Sequence, residues 1–473
     1  QEEGIYPIPQ FSVEREDVEG FMEELREFYG VFRECFARSE PRENAFRYLE
    51  GRFSGLERKT IEPIALHEEG ANVRRMQSAI TDAHWDENRM LRTYRELVNE
   101  DMGDPDGVLI VDESGFRKKG NESAGVQRQY CGTVGKVDNC QVGVFAGYAS
   151  RYGYALIDKR LFIPEAWFDE EHAGKREKDN FPLGLEFKTK PQLASEMVEV
   201  ILHEGELPVR YVVADSLYGE SEYFLHAMES HVGITYLVGV ASDTLCWPKE
   251  HPAMEKRTYR YHGKSLSREI VAGMEMEPVS VRDIARMIPD VFWYRRKVSE
   301  GTKGSIEYEF TRRLVSLSKD GLPSRTAWLV IRRSLDKKDY WFFISNAPRS
   351  TRMEVFVWLS GIRWAIEQSF EEAKGEVGMD QYEVRKYPAW NHHMLISMLA
   401  HFFLWHVRIR LGKKAPHITL PQVRMLLSAV LPMKTLNMQE LINLVMWIEI
   451  KNHRAYLSHK KHKLKKELDH VAL

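Results

Sequence analysis

A chain of 473 residues is too long for one ordinary core, and its 43% apolar share is ample to bury roughly two to four structural units. A formal net charge of −3 excludes a uniformly basic surface, so any nucleic-acid partner must be met by a local patch of cations. Cys35, Cys131, Cys140 and Cys246 stand singly without a CxxC pair, which excludes a written zinc knuckle or disulfide framework and leaves reduced, buried thiols.

The opening residues Gln1, Glu2 and Glu3 are polar and acidic, so no signal peptide is expected. Apolar positions at helical spacing (Val18, Phe21, Met22, Leu25, Phe28, Phe32, Phe36) predict amphipathic helices over residues 14–60. A second helical stretch runs from about Asn72 to Asn99, and Gly103, Asp104, Pro105 and Gly107 mark a turn and a boundary. The period then changes. Val108–Val111 is a wholly apolar run ending in Asp112, the pattern of a strand covered on both faces. Strand-like runs follow at Gln141–Tyr148, Ala155–Ile163, Tyr211–Ala214 and Thr235–Val240, with helices at Gln192–His203 and Glu220–Ser230. That order is a mixed α/β sheet of the ribonuclease-H-like arrangement.

Between Ala241 and Tyr340 short β-like pieces (Thr258–Tyr261, Val291–Val298, Tyr308–Val315, Ala327–Arg332) are separated by Gly, Pro and charged turns, the mark of a β-rich insertion. The strand Trp341–Ile344 resumes the core, a helical region runs from Thr351 to about Glu376, and further helices are expected near Trp390–Arg410, Pro421–Leu431 and Met438–Lys451. The runs Met394–Leu399 and Phe402–Val407 are broken by histidines and fall short of the roughly 20 apolar residues of a membrane span, so no membrane and a cytoplasmic location are expected. His392, His393, His401 and His406 have no acidic or Cys neighbours in sequence and read as packed or hydrogen-bonded side chains, not a zinc site. Seven Lys or Arg and no acid lie between Lys451 and Lys466, a basic tail that suits either a solvated end or phosphate contact.

Asp112 and Asp215 each end a buried apolar strand, where a carboxylate is costly unless a cation or hydrogen bonds compensate. Taken singly each also suits a turn former or helix cap. In Arg363-Trp364-Ala365-Ile366-Glu367-Gln368-Ser369-Phe370-Glu371-Glu372-Ala373-Lys374, the residues Arg363, Glu367 and Lys374 are spaced to share one helix face, beside an apolar stripe of Ile366, Phe370 and Ala373. That face offers one carboxylate for a metal and two cations for phosphates, or an ordinary surface ion pair.

These motifs resemble those of bacterial insertion-sequence transposases of the DDE superfamily that carry a Tyr–Arg–Glu–Lys signature, most nearly the insertion sequence 701 family, itself related to the insertion sequence 4 group. The block Val111-Asp112-Glu113-Ser114-Gly115-Phe116-Arg117-Lys118-Lys119-Gly120 resembles the first-Asp segment, and Gln129–Val137 with Asn139–Val144 the segment after it. Ala214-Asp215-Ser216-Leu217-Tyr218-Gly219 resembles the second-Asp block, Arg363, Glu367 and Lys374 fall on the signature, and Gly378–Arg385, Met76-Gln77 and Trp85-Asp86-Glu87 extend the likeness. One departure is plain: Ser360 stands where the signature has tyrosine.

The resemblance implies Asp112, Asp215 and Glu367 as catalytic metal ligands for two Mg²⁺ ions, with Mn²⁺ able to substitute, and Arg363, Lys374, Lys118 and Lys119 as DNA contacts. It implies a helical N-terminal DNA-binding domain at 1–103, a ribonuclease-H-like core at 104–240 and 341–387, a β-rich insertion at 241–340, and a helical C-terminal region with a basic tail at 388–473. The expected activity is metal-dependent cleavage of transposon ends and strand transfer, by cut-and-paste. The partners would be the terminal inverted repeats and target DNA as double strands, with a homodimer in the synaptic complex and a nucleoid-associated bacterial enzyme. Insertions placed between the second Asp and the Glu accompany hairpin intermediates in such families, which makes Trp341 and Trp364 candidates for stacking a flipped base. The alternative is a repurposed DDE-type nuclease or a DNA-binding regulator that no longer transposes. No GxxxxGK[ST] loop is present, so ATP is not implied.

Overall fold

The computed structural model describes residues 10–471, apart from 249, 251, 262–263, 273–276, 302–303 and 435–436. Side chains from His462 onward, and with them part of the basic run, lie outside the described residues, as do Gln1, Glu2 and Glu3.

Val108–Val111 opens β1 (Val108–Arg117), fully buried in that half as the apolar run predicts. After it come β2 (Gln127–Cys131), β3 (Lys136–Ser150), β4 (Gly153–Phe162), β5 (Tyr211–Ala214) and β6 (Thr235–Val240). Strand β5 and strand β6 have the bounds read from sequence. Strands β7 (Leu245–Trp247), β8 (Met254–Tyr261), β9 (Lys264–Val271), β10 (Val279–Ser280), β11 (Tyr294–Gly301), β12 (Gly304–Lys319) and β13 (Leu322–Arg333) fill the insertion, and β14 (Tyr340–Ser345) returns to the core. Twelve of these make one mixed sheet in the order β10-β7-β12-β13-β14-β6-β5-β1-β3-β2, with β11 on β12 and β4 on β3. Most of the β-rich insertion therefore extends the central sheet, while β8 and β9 form a separate ribbon.

β1, β5 and β6 run parallel, with Val111 opposite Ala214. A parallel register needs crossover connections, and Lys190–Glu204 and Glu222–Glu229 are the helices that supply them. Lys190–Glu204 starts at a capping box in which Thr189 and Gln192 exchange hydrogen bonds with each other's backbone.

The helices before β1 do not stand apart. Phe21–Gly30, Ser39–Arg52, Val73–Thr81 and Glu87–Met102 pack against Tyr387–Leu411, and one hydrophobic core runs from Phe21 to Leu431. Tyr387–Leu411 is long and apolar enough to cross a membrane, which the separate runs Met394–Leu399 and Phe402–Val407 did not show, but 78% of its apolar window is buried inside the fold. Buried on nearly all sides, it has no polar stripe.

The histidines on this helix are packed and hydrogen-bonded, as expected, yet three do have acidic partners. His401 meets Glu372 at 2.9 Å, His406 meets Asp101 at 2.7 Å, and His392 stacks on Trp85 at 4.0 Å with Glu87 at 3.6 Å. All of these partners come from other elements, out of reach of a sequence window.

The helical region 351–376 is two helices, Met353–Ile362 and Trp364–Gly375, with Arg363 at the turn between them. Ile366, Phe370 and Ala373 are buried, and the second helix packs across β1, β3 and β4. It comes close because β3 has a glycine beneath it: a Cβ on Gly147 would stand 3.3 Å from Ile366.

Candidate active site

Asp112 lies in β1 just past the last residue paired with β5, and Asp215 follows the last residue of β5, so parallel pairing brings the two carboxylates side by side. Asp215 leaves the sheet as the N-cap of the short helix Ser216–Gly219, its Oδ1 accepting from the Leu217 N–H at 3.0 Å. That turn lies against β6 where β6 has no side chain: a Cβ on Gly239 would reach the Ser216 nitrogen at 3.0 Å, and one on Gly219 would reach the Gly239 carbonyl oxygen at 1.9 Å.

Burial pushes the Asp112 carboxyl up to about 7; the Arg363 guanidinium opposes the rise and the Asp215 charge adds to it. Asp215 is raised by burial and by the nearby Glu113 charge, against Arg363 and two backbone N–H groups. Asp112, midway along β1, and Asp215, just past the end of β5, are desolvated carboxylates whose charges a cation would stabilise.

Glu367 stands on the helix Trp364–Gly375, and Arg363 links it to Asp112. Its Nη1 donates to Asp112 Oδ2 at 2.8 Å and its Nη2 to Glu367 Oε1 at 2.7 Å. Further along the helix, Lys374 Nζ donates to Ser114 Oγ at 2.8 Å and Thr133 Oγ1 at 3.3 Å, and burial lowers its pKa. Asp112 and Ser114 share one face of β1 by the strand period, so Arg363 and Lys374 clamp the helix to that face at two points.

The profile of the family described as DDE superfamily endonuclease matches residues 31–305, more than half of the chain. The chain belongs to the DDE superfamily endonucleases. Asp112 and Asp215 fall inside the matched segment and Glu367 beyond it. This DDE endonuclease is 27% identical over 354 residues to the probable transposase for insertion sequence element IS701 of Microchaete diplosiphon, spanning 73% of this chain and 77% of that protein. The resemblance read from the motifs is thereby borne out. Among solved structures, the piggyBac transposase synaptic complex with hairpin DNA matches with a TM-score of 0.34 and 11% identity, over 89% of this chain and 78% of that one. The NurA nuclease of Sulfolobus solfataricus matches at 0.27 and 9%, over 62% and 86%. At those scores neither decides the fold.

Not every expected DNA contact of this DDE endonuclease faces outward. Lys118 turns in: its Nζ donates to the Tyr382 carbonyl at 3.1 Å and sits 3.2 Å from the centroid of the Tyr382 ring, and burial lowers its pKa to about 7. It packs here because β1 ends at Arg117 and Lys118 lies over the segment that follows the helix Trp364–Gly375. Lys119 is exposed. Trp364 is 50% exposed, its ring edge-on to Tyr154 at 5.4 Å. Trp341 is half-buried, with the Arg332 guanidinium over its ring at 4.4 Å.

Three neighbours of the acids escaped the reading of the sequence, although two stand inside quoted motifs. Glu113 Oε2 accepts from the Tyr218 hydroxyl at 2.8 Å, and Glu113 Oε1 pairs with Lys190 at 2.9 Å. These bonds tie the first-Asp block to the second, and nothing in local spacing signals them.

Proposed function

We propose that this chain is the transposase of a bacterial insertion sequence, which cuts the ends of its element and joins them to target DNA on a ribonuclease-H-like core. The observation that carries this reading is the meeting of Asp112 and Asp215 where the parallel pairing of β1 and β5 stops, with Glu367 linked to Asp112 through one guanidinium.

The residues fit a pair of divalent cations, Mg²⁺ or Mn²⁺. All three donors are carboxylate oxygens, the class that hard cations take, and Asp112 and Asp215 are held in an environment that penalises negative charge. Among the described residues no three His, Cys, Asp or Glu side chains converge closely enough to hold an ion, and the cation between Asp112 and Glu367 is Arg363. Asp112, Asp215 and Glu367 are the residues that would hold the ions. Bound there, such ions would activate a water or a 3′-hydroxyl and stabilise the leaving oxygen of an in-line displacement. Arg363 and Lys374 flank the acids and would position the scissile phosphate, Arg363 by a planar fork and Lys374 as a point charge.

Second-strand cleavage through a hairpin accords with the insertion between Asp215 and Glu367, and the exposed Trp364 is the better placed of the two tryptophans to stack a displaced base. A cavity of about 640 Å³ lined by Arg282, Arg286, Lys337, Lys338 and Trp341 gives that insertion a basic face for the duplex. Handling two ends together calls for two copies of the chain on DNA.

Incubating the protein with duplexes bearing the element's own inverted repeats and Mg²⁺, then mapping both strands, tests this. Cuts at the element boundary, absent from Asp215→Asn, are the expected result. Binding without any metal-dependent cut would leave only a DNA-binding regulator.

A further inference from the structure

Arg332, the last residue but one of β13, lies directly opposite Trp341 on β14. Its guanidinium lies over three rings, those of Trp341 at 4.4 Å, Tyr308 at 4.7 Å and Phe343 at 5.7 Å. Among the described residues one hydrogen bond holds it, from Nη1 to the Ser360 carbonyl at 3.3 Å, while Nε is buried without a partner.

Its neighbours are treated differently. Arg333 is paired with Glu309 at 2.7 Å and Asp290 at 2.8 Å, and Arg325 with Glu229 at 2.7 Å. Among the described residues no carboxylate pairs with Arg332. The charge facing it from the catalytic turn is another cation, Arg363, and together with burial it holds the Arg332 pKa below the ordinary value.

A half-buried guanidinium without a counter-charge carries a desolvation cost that an arriving anion would offset. The rings cover its flat face, Nε is buried and Nη1 is taken by the Ser360 carbonyl, which leaves Nη2 as the N–H group that can donate to a phosphate oxygen. Ser360, whose carbonyl aims it, lies one helical turn before Arg363. It also occupies the signature tyrosine position, so Arg332 sits where this chain departs from the pattern.

We propose that Arg332 is a second phosphodiester-binding guanidinium of the active site, taking the backbone phosphate next to the one that Arg363 positions. Trp341, Tyr308 and Phe343 are then its positioning residues, and the covered face of Trp341 serves the arginine. This rests on the reading of the site as one that cuts DNA.

The test is binding of an end duplex to the full-length chain without divalent cation, followed by anisotropy from about 50 to 300 mM KCl. Wild type is compared with Arg332→Gln, Arg332→Lys and Arg325→Gln, each checked by thermal unfolding. Arg332→Gln should weaken binding roughly 5- to 20-fold at ~100 mM salt and make the salt slope shallower by about one unit. Arg332→Lys should keep the slope while losing part of the affinity, and Arg325→Gln should match wild type. A lowered melting temperature with unchanged slope in Arg332→Gln would make Arg332 a packing residue and overturn the proposal. Arg332→Lys keeps the charge with less disturbance of the rings, so if Arg332→Gln does not fold, affinity and slope at wild-type values in Arg332→Lys overturn the proposal equally. Wild type that binds no duplex at all overturns the DNA-cutting reading beneath it.

Discussion

The Tyr218 hydroxyl donates a 2.8 Å hydrogen bond to Glu113, and since Glu113 follows Asp112 in β1 while Tyr218 lies one turn past Asp215, that bond locks the strand bearing one aspartate to the turn bearing the other. Tyr218 is fully buried, so Tyr218→Phe removes a charge-assisted bond without opening a cavity. A loss of about 1.5–3 kcal/mol in unfolding free energy is expected by denaturant titration. Cleavage should fall several-fold and not vanish, because no proposed metal ligand is removed; complete loss would place Tyr218 in the chemistry itself.

Asp112→Asn, Asp215→Asn and Glu367→Gln should each lower cleavage of end DNA by at least about a thousandfold, while duplex affinity stays within roughly threefold. Glu113→Gln, whose carboxylate is already engaged by Tyr218 and Lys190, should retain measurable activity. Cleavage by any of the first three at near-normal rate sinks the triad.

Arg363 competes for the carboxylate oxygens that a divalent cation would use, since it already donates to Asp112 at 2.8 Å and to Glu367 at 2.7 Å. Titrating Mn²⁺ into DNA-free protein by calorimetry should show tighter binding to Arg363→Ala than to wild type, even as cleavage falls. Weaker binding in the variant would mean that the guanidinium organises the acids for the metal.

Gly219 and Gly239 allow the Asp215 turn to lie on β6. Gly219→Ala would put a Cβ 1.9 Å from the Gly239 carbonyl oxygen, which is backbone on both sides and cannot yield by a rotamer change. Destabilisation of roughly 1–3 kcal/mol, or failure to fold, is expected from circular dichroism on heating. An alanine variant of wild-type stability and activity would refute that packing.

His406 links the helix Tyr387–Leu411 to Asp101 at 2.7 Å and Glu24 at 3.3 Å. Burial lowers its pKa, but the two hydrogen-bonded carboxylates outweigh that and raise it to about 9. A folded-state value above the unfolded one, near 6.5, means the contribution is full below about pH 6.5 and is lost as pH climbs through 9. The melting-temperature gap between wild type and His406→Gln should therefore be widest near pH 6 and close by about pH 10. A gap that widens toward alkaline pH would reverse the assignment.

Asp112 and Asp215 were legible in the sequence because a carboxylate bordering a wholly apolar run stands out, and β5 and β6 were legible from their apolar runs. Asp215 does follow the end of β5, whereas β1 runs on past Asp112 to Arg117, held there by β3. Glu367 needed more, since its spacing from Arg363 suits any surface ion pair and the family resemblance lifted it above that. Periodicity records which side of an element is buried. It does not record which distant charge arrives there.

Tertiary structure alone decided those pairings. It set Arg363 between Asp112 and Glu367, brought Glu372, Asp101 and Glu87 to the histidines of the core helix, turned Lys118 inward onto Tyr382, and left Arg332, among the described residues, without a carboxylate and near a second cation. It also merged most of the β-rich insertion with the central sheet, because backbone edges pair by geometry and carry no side-chain signal of their partner. The sequence by itself determined which apolar runs are buried strands and which carboxylates border them. Which charges meet there is a property of contacts between elements remote in sequence, where ion pairing depends on three-dimensional approach within about 4 Å.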